Sequence, residues 1–454
     1  MGGAEALGMQ IAKYLGRRHN IEVLTTTAED VSNPLNVLPV GETTIDGVRV
    51  KRFKVNGREG SFNTINSKVL ARKKITESEG IEWFRGNLSS DELCNYLLKN
   101  KEKFDFFIFM PYCFGITYFG SQIVPDKSII VPCLHDEEQT RVPPLKRMFQ
   151  KCRAIIFNSE EEKRFFERFF FYPTEWAVIG GILEKSNPHP KEFIRKYNLK
   201  NFIIYTGRKD QGKSTPLLLE YFCRYKENNK HDIKLVLTGP GEVQIPKKFK
   251  SDILDLGIIP KNDLQNAISA SKLLCQPSIH ESFSFSIMEA WLYGRPTLVH
   301  ANCEVTKSFT TKANAGLYFE NYEEFEECMN YLLENPAISK KLGENGRKFV
   351  LENYTPSKIS IKYEEYLTAL HKNPRSVHDS FNIPSDCPGY CKICYRNSDV
   401  FTSCIWKDVA SSIPYVLKSE DRFIYLNIIF SLLKQYSRCA IRRAFTFPNT
   451  SRNQ

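Results

Sequence analysis

The sequence predicts an α/β chain of two doubly wound parallel sheets facing across a cleft, followed by a C-terminal extension. Three observations predict it. Short apolar, β-rich runs alternate with helical patterns from residue 4 to residue 371, the pattern of strands covered by helices on both faces. The alternation is broken once, at the polar, proline-containing stretch 183–191, which reads as an interdomain hinge. Clustered glycine and charge fall directly after strands, where open α/β sheets bind ligands. Domains are therefore expected at 1–182, 183–371 and 372–454.

Each element has its own signal. Ala4, Leu7, Ile11, Ala12 and Leu15 recur at helical spacing and predict a helix over 4–15. Residues 21–26 and 48–55 read as strands, the second opened by the turn pair Asp46-Gly47. The runs 104–110 and 128–134 are largely apolar and read as buried strands, and 154–157 as another. Ser159 with Glu162 three residues on predicts a capping box opening a helix over 160–170. Past the hinge, strands over 202–206, 233–237, 253–256, 273–276 and 297–299 alternate with helices over 215–225, 263–271 and 286–293. Three more helices are expected over 322–333, 339–352 and 359–371.

Composition narrows the function. The chain has 454 residues, 42% hydrophobic, 25% charged and 13% aromatic, which excludes a disordered or fibrous protein. No run reaches the ~18 apolar residues that a membrane-spanning helix needs. No basic segment leads into an apolar run at the start, so a cytoplasmic setting is expected. Net charge is +11, but residues 422–454 hold six basic residues and no acidic one. The remainder is nearly balanced, which excludes a general nucleic-acid-binding surface. Nine of the thirteen cysteines are scattered singly, as reduced thiols are.

Three segments carry candidate chemistry. Gly2-Gly3 opens the first helix, where backbone amides and the helix dipole suit a phosphate. Such a loop follows a strand, and none precedes Gly2. A truncated or misassigned start, lacking a strand of about five to eight residues, is therefore expected. The second segment is Gly207-Arg208 with Lys213, after the strand 202–206. Arg208 offers a fork for phosphate oxygens and Lys213 a point charge. In the third, Glu281 precedes a helix that carries Glu289, with Phe283-Ser284-Phe285 between them. Carboxylates there suit sugar hydroxyls, and the helix-start amides suit a diphosphate. Each segment taken alone also fits an ordinary turn, solvated cations or a capped helix.

Together the three segments resemble the retaining glycosyltransferases of family 4, which adopt the two-domain GT-B fold. The match runs over roughly residues 1–371: Gly2-Gly3, then Gly207-Arg208 and Lys213, then Pro277-Ser278, Glu281 and Glu289-Ala290, with Gly294-Arg295-Pro296. The resemblance implies a nucleotide-sugar donor in the second domain and a glycan or lipid-linked acceptor in the first. It implies that Glu289 holds the ribose hydroxyls and that Arg208 and Lys213 neutralise the diphosphate without a required metal cofactor. Glu281, with the amides of Phe283, Ser284 and Phe285, would contact the donor. Gly2 and Gly3 would approach it from the first domain, Gly207 would shape the phosphate loop, and His135 would contact the sugar. Two departures stand out. Ser284 occupies a position where many members have glycine. The missing strand is normally central in the first sheet, so its loss would leave two strand edges open. Trp83 and Arg58 are candidates for the acceptor side.

The extension carries two further expectations. Cys387, Cys391, Cys394 and Cys404 could hold a structural zinc, the inner Cys-x2-Cys being the right knuckle. Residues 422–445 form a basic amphipathic helix pattern that suits peripheral contact with a membrane surface. The competing function is a catalytically inactive, glycosyltransferase-like nucleotide-binding or scaffold protein. A nicotinamide-dependent oxidoreductase is excluded, because no Gly-x-Gly-x-x-Gly follows a strand.

Overall fold

The computed structural model describes residues 2–31, 33–58, 60–170 and 175–373. The four-cysteine cluster and segment 422–445 lie outside the described residues.

Helix α1 (Gly3–Leu15) opens the first domain and buries Leu7, Ile11 and Leu15. Strand β1 (Glu22–Thr26) runs parallel to β3 (Val48–Phe53), which pairs antiparallel with β2 (Gly41–Ile45). Asp46 and Gly47 join β2 to β3 with φ of +49° and +80°, the geometry of a tight two-residue hairpin turn. Helices α2 (Phe62–Leu70), α3 (Glu77–Gly86) and α4 (Asp91–Asn100) follow. A second sheet then holds β4 (Phe107–Phe109), β5 (Ser128–Ile130), β6 (Ala154–Phe157) and β7 (Glu175–Val178) in that order, all parallel. Helix α5 (Gly115–Ile123) joins β4 to β5, α6 (Pro144–Lys151) joins β5 to β6, and α7 (Glu160–Phe170) follows β6.

Two expectations are corrected here. The strands expected over 104–110 and 128–134 shrink to three residues each. Pro111 and Pro132 stand just beyond them, and proline has no N–H to give a sheet. The capping box at Ser159 is half made. Ser159 Oγ accepts from the Glu162 amide at 3.1 Å, but the Glu162 carboxylate takes the amides of Asn158 and Leu134 instead.

Among the described residues, β1 and β4 are edges of separate sheets. Helices join the two pieces. Leu24 of β1 and Phe107 of β4 both pack with Leu93 and Leu97 of α4, while Ile108 packs with Leu7 and Ile11 of α1.

The second domain begins with α8 (Pro190–Tyr197), so the hinge region ends at His189, two residues sooner than expected. Its six parallel strands are β8 (Phe202–Thr206), β9 (Lys234–Thr238), β10 (Ile253–Asp255), β11 (Leu274–Gln276), β12 (Thr297–His300) and β13 (Gly316–Phe319). They form one sheet in the order β10-β9-β8-β11-β12-β13. Phe202 and Ile204 enter one apolar layer, Ile203 and Tyr205 the other, as the two-residue period of a strand requires. Helices α9 (Thr215–Asn228), α10 (Lys261–Ala270), α11 (Phe285–Leu292), α12 (Glu304–Ala313), α13 (Tyr322–Glu334) and α14 (Pro336–Asn353) follow in chain order. Helix α15 (Pro356–Lys372) lies on the first domain, where Ile359, Tyr363 and Leu370 share a cluster with Leu7, Ile11 and Ile129. No described helix is long and apolar enough to cross a membrane.

Candidate functional site

Strands β8 and β11 are neighbours at the centre of the second sheet. Their C-terminal ends therefore release their loops side by side. The loop after β8 carries Gly207, Arg208 and Lys213. It crosses the loop after β9 closely: a Cβ on Gly239 would stand 2.1 Å from the Gly207 carbonyl oxygen. Gly207 and Gly239 have φ of +150° and +117°, so the crossing favours glycine on both counts. Asp210 Oδ1 accepts from the Lys213 amide at 2.9 Å and caps the turn. Below it, the Lys209 ammonium is almost fully buried and pairs with Asp255. Asp255 also accepts from the Gly257 amide at 3.0 Å. Sequence reasoning missed Lys209. Its signal was weak, because its partner is 46 residues away.

The loop after β11 brings Glu281 to Lys213, with Nζ to Oε1 at 2.7 Å. Lys213 also donates to the His280 carbonyl at 3.3 Å. Arg208 stays largely exposed, with Asp210 3.6 Å away. Helix α11 then starts at Phe285, and its first-turn amides have no intrahelical acceptor. The Phe283 side chain is buried against Phe309 and Tyr354, so only its backbone is free for a ligand. Ser284 is the residue before α11 and sits in the left-handed region, φ +68° and ψ +83°. That conformation is what glycine adopts freely.

Glu289 lies on α11, half-buried. Burial pushes its carboxyl up to about 7, opposed only by Lys261. It has no hydrogen-bond partner among the described residues. A carboxyl so placed can take two hydroxyl donors.

The first domain supplies the opposite wall. His135 follows β5, and Cys133 before it is also left-handed, φ +57°. The His135 ring stands 5.5 Å from that of His280, centroid to centroid. Burial, then Lys213, pushes His135 down to about 4, so the imidazole is neutral near pH 7. Its Nδ1 is buried without a hydrogen-bond partner. Gly3 faces Phe285 of the second domain, 4.0 Å from where its Cβ would be. Gly2 caps α1. A cavity of about 260 Å³ opens beside His135 and Glu281, with Phe165, Phe169 and Val305 on its apolar side. The structure thus gathers His135, Arg208, Lys213 and Glu281, with the start of α11 close by.

Trp83 and Arg58 are elsewhere. Trp83 is 1% exposed, with its indole N–H on Asn66. Arg58 binds the carbonyls of Gly86 and Val31 and lies over Phe62. Both hold the first domain's own loops and helices together. Glu137, which sequence reasoning missed, lies two residues past His135 and accepts from the hydroxyl of the buried Tyr112 at 2.8 Å.

Comparisons with known proteins bear on the family and the fold. Residues 189–349 match the family model "Glycosyl transferases group 1". An uncharacterized glycosyltransferase of Methanocaldococcus jannaschii is 24% identical over 239 residues, 50% of this chain and 60% of that protein. The lipopolysaccharide glucosyltransferase WaaG of Escherichia coli is 23% identical over 176 residues, 36% of this chain and 46% of the relative. The structure of Anabaena HepE in complex with UDP-glucose aligns with a TM-score of 0.61 at 14% identity, covering 82% of this chain and 97% of that one. The chain spans 46–60% of the length of these two curated relatives. Residues 189–349 are a glycosyl transferases group 1 domain, set in a chain of GT-B fold.

Proposed function

We propose that this chain is a retaining glycosyltransferase of family 4 that moves a sugar from a nucleotide-sugar donor to a glycan or lipid-linked acceptor. The observation that carries the proposal is the meeting of Arg208, Lys213 and Glu281 where β8 and β11 end, with the start of α11 beside them. Breaking a sugar–phosphate bond puts negative charge on the diphosphate and positive charge on the sugar. Arg208, Lys213 and the α11 amides stabilise the first as preorganised donors. The arriving diphosphate takes Lys213 from Glu281, which frees the Glu281 carboxylate for donor hydroxyls. Glu289 accepts the ribose hydroxyls. His135, being neutral, can donate to or accept from the sugar without repelling the cations opposite. Attack on the same face of the sugar gives retention, and closure of the cleft excludes water.

With two cations at the diphosphate, catalysis needs no divalent metal. HepE is recorded with UDP-glucose and WaaG is named for lipopolysaccharide, which supports the donor class and a lipid-linked acceptor. The proposed setting is the cytoplasmic side of a membrane, with 422–445 as a peripheral contact and the four clustered cysteines as a structural zinc site.

The test is a turnover screen of nucleotide sugars with and without chelator, alongside calorimetric titration with nucleoside diphosphates. Chelator-resistant transfer with retained configuration is expected. Tight diphosphate binding with no turnover of any donor would favour the inactive reading. Activity lost in chelator and restored by magnesium or manganese would overturn the metal-free mechanism.

A further inference from the structure

The charges assigned so far lie mostly on the second domain. Glu137 lies opposite, in the turn after His135. Its backbone is pinned: its amide donates to the His135 carbonyl at 2.8 Å, and its carbonyl accepts from Thr140 Oγ1 at 2.7 Å. Its Oε1 accepts from the hydroxyl of Tyr112, a side chain 1% exposed. His135 Nε2 is 3.8 Å from the same oxygen. Oε2 has no hydrogen-bond partner among the described residues, and the side chain is 24% exposed. One oxygen is therefore held and the other is open.

We propose that Glu137 is a specificity-determining residue that accepts a hydrogen bond from a sugar hydroxyl in the cleft, with Tyr112 as the positioning residue that aims it. The inference rests on the glycosyltransferase reading above and adds a substrate contact to it.

Three physical points support the assignment. A carboxylate has about four acceptor sites, and a single neutral donor leaves most of them empty. Taking such a group partly out of water is costly unless a ligand completes it. The neighbouring charges also select the ligand. An ionised carboxylate can only accept, and Glu138 adds negative charge beside Glu137. The hydroxyl of a neutral polyol brings a proton to donate, whereas an ionised anion brings none. Burial holds Glu137 up to about 7, while Tyr112, His280 and Lys213 pull it down. A sugar hydroxyl suits both protonation states, because it can donate to the carboxylate or accept from the acid.

The hydroxyl belongs to the donor sugar or to the acceptor, and the test separates them. Full-length wild type, Glu137→Gln, Glu137→Ala and Tyr112→Phe are compared on donors and acceptors lacking one hydroxyl at a time. UDP, GDP and ADP binding is measured in every protein. Wild type is expected to reject one deoxy compound by about 10²-fold or more in kcat/KM, as sites built around a hydroxyl do. Glu137→Ala should accept that compound and its parent nearly equally, and Tyr112→Phe should discriminate at an intermediate level. Lost discrimination in donor hydrolysis without acceptor assigns the donor sugar; loss seen only in transfer assigns the acceptor. Intact nucleotide binding with unchanged discrimination in both Glu137 variants overturns this inference alone. Failure of wild type to bind any of the three nucleotides overturns the glycosyltransferase reading and this inference with it.

Discussion

The two domains divide the same job differently. Among the described residues, the second holds six strands in one sheet, whereas the first holds seven strands in two. In the second domain the two central strands deliver Arg208, Lys213 and Glu281 to one point, and a buried ion pair anchors the loop beneath them. In the first domain only the four-stranded piece faces that point, through the loops after β4 and β5 that carry Tyr112, His135 and Glu137. The three-stranded piece contributes none of these groups. The proposed charge chemistry thus depends on one continuous sheet, while the proposed hydroxyl recognition depends on short loops set on half of a split one.

The largest expected effect breaks the anchor of the second domain. Lys209 has 1% of its side chain exposed and Asp255 23%. Lys209→Ala leaves Asp255 without its cation, and removing one partner of a buried pair costs about 3–5 kcal/mol. Urea unfolding should show a loss of this size, with turnover falling as the loop of Arg208 and Lys213 loosens. Unchanged stability would mean that the backbone contact from Lys209 to Pro240, 2.8 Å, suffices to hold the loop.

That anchor also shows where the sequence was legible. Strands 154–157 and 202–206 match the structure to the residue, because each is an apolar run closed by a polar or glycine signal. Arg208, Lys213 and Glu281 stood out because they cluster in the loops after β8 and β11, and Glu289 because it sits on the helix that follows; their roles are those proposed above. Lys209 was not readable, since its meaning depends on Asp255 across the sheet. Helices α2 to α6 were missed as well. Each runs only eight to ten residues, two to three turns, so few repeats of the helical period are on display. Thr76 with Glu79 is a readable start signal for α3, and both halves of that capping box are formed. Glu137 lies two residues past His135, yet only the Tyr112 contact, 25 residues away, distinguishes it from surface acids.

A smaller but more specific effect sharpens the charge side. Lys213→Ala should lower kcat/KM by about 10²–10³-fold, the scale of one lost transition-state donor, and Glu289→Gln should lower it by weakening the hold on the ribose, with the fold intact in both. Glu289 also sets a pH dependence. Its carboxyl is raised from 4.5 to about 7 by burial. The stability linked to that shift is fully present below pH 4.5 and is lost as pH rises through about 7. Nucleotide affinity should move the opposite way, since ribose hydroxyls bind the ionised form better, and should weaken as pH falls below about 7. Calorimetry across this range in wild type and Glu289→Gln checks it. An identical pH profile in the variant would remove Glu289 from the nucleotide site.

The smallest effect concerns the residue before α11, where backbone and donor would come closest. Ser284 holds φ +68° without glycine's freedom. A left-handed non-glycine residue costs roughly 1–2 kcal/mol, whereas glycine adds about 0.5–1 kcal/mol of chain entropy to the unfolded state. The serine also returns something. Its Oγ lies 3.2 Å from Ser286 Oγ, which accepts from Gln276 at 2.8 Å. These terms nearly cancel, so Ser284→Gly should change stability by less than about 1 kcal/mol, a Tm shift of only a few degrees at this size. Its effect should appear in binding instead. Without a Cβ, the amides at the start of α11 can approach a diphosphate more closely, and the KM for donor should fall modestly while kcat holds. A stability loss well above 1 kcal/mol would instead show that the Ser284–Ser286–Gln276 chain holds the helix start. The second domain would then owe its site geometry to side-chain hydrogen bonds at this loop as well as to the sheet beneath it.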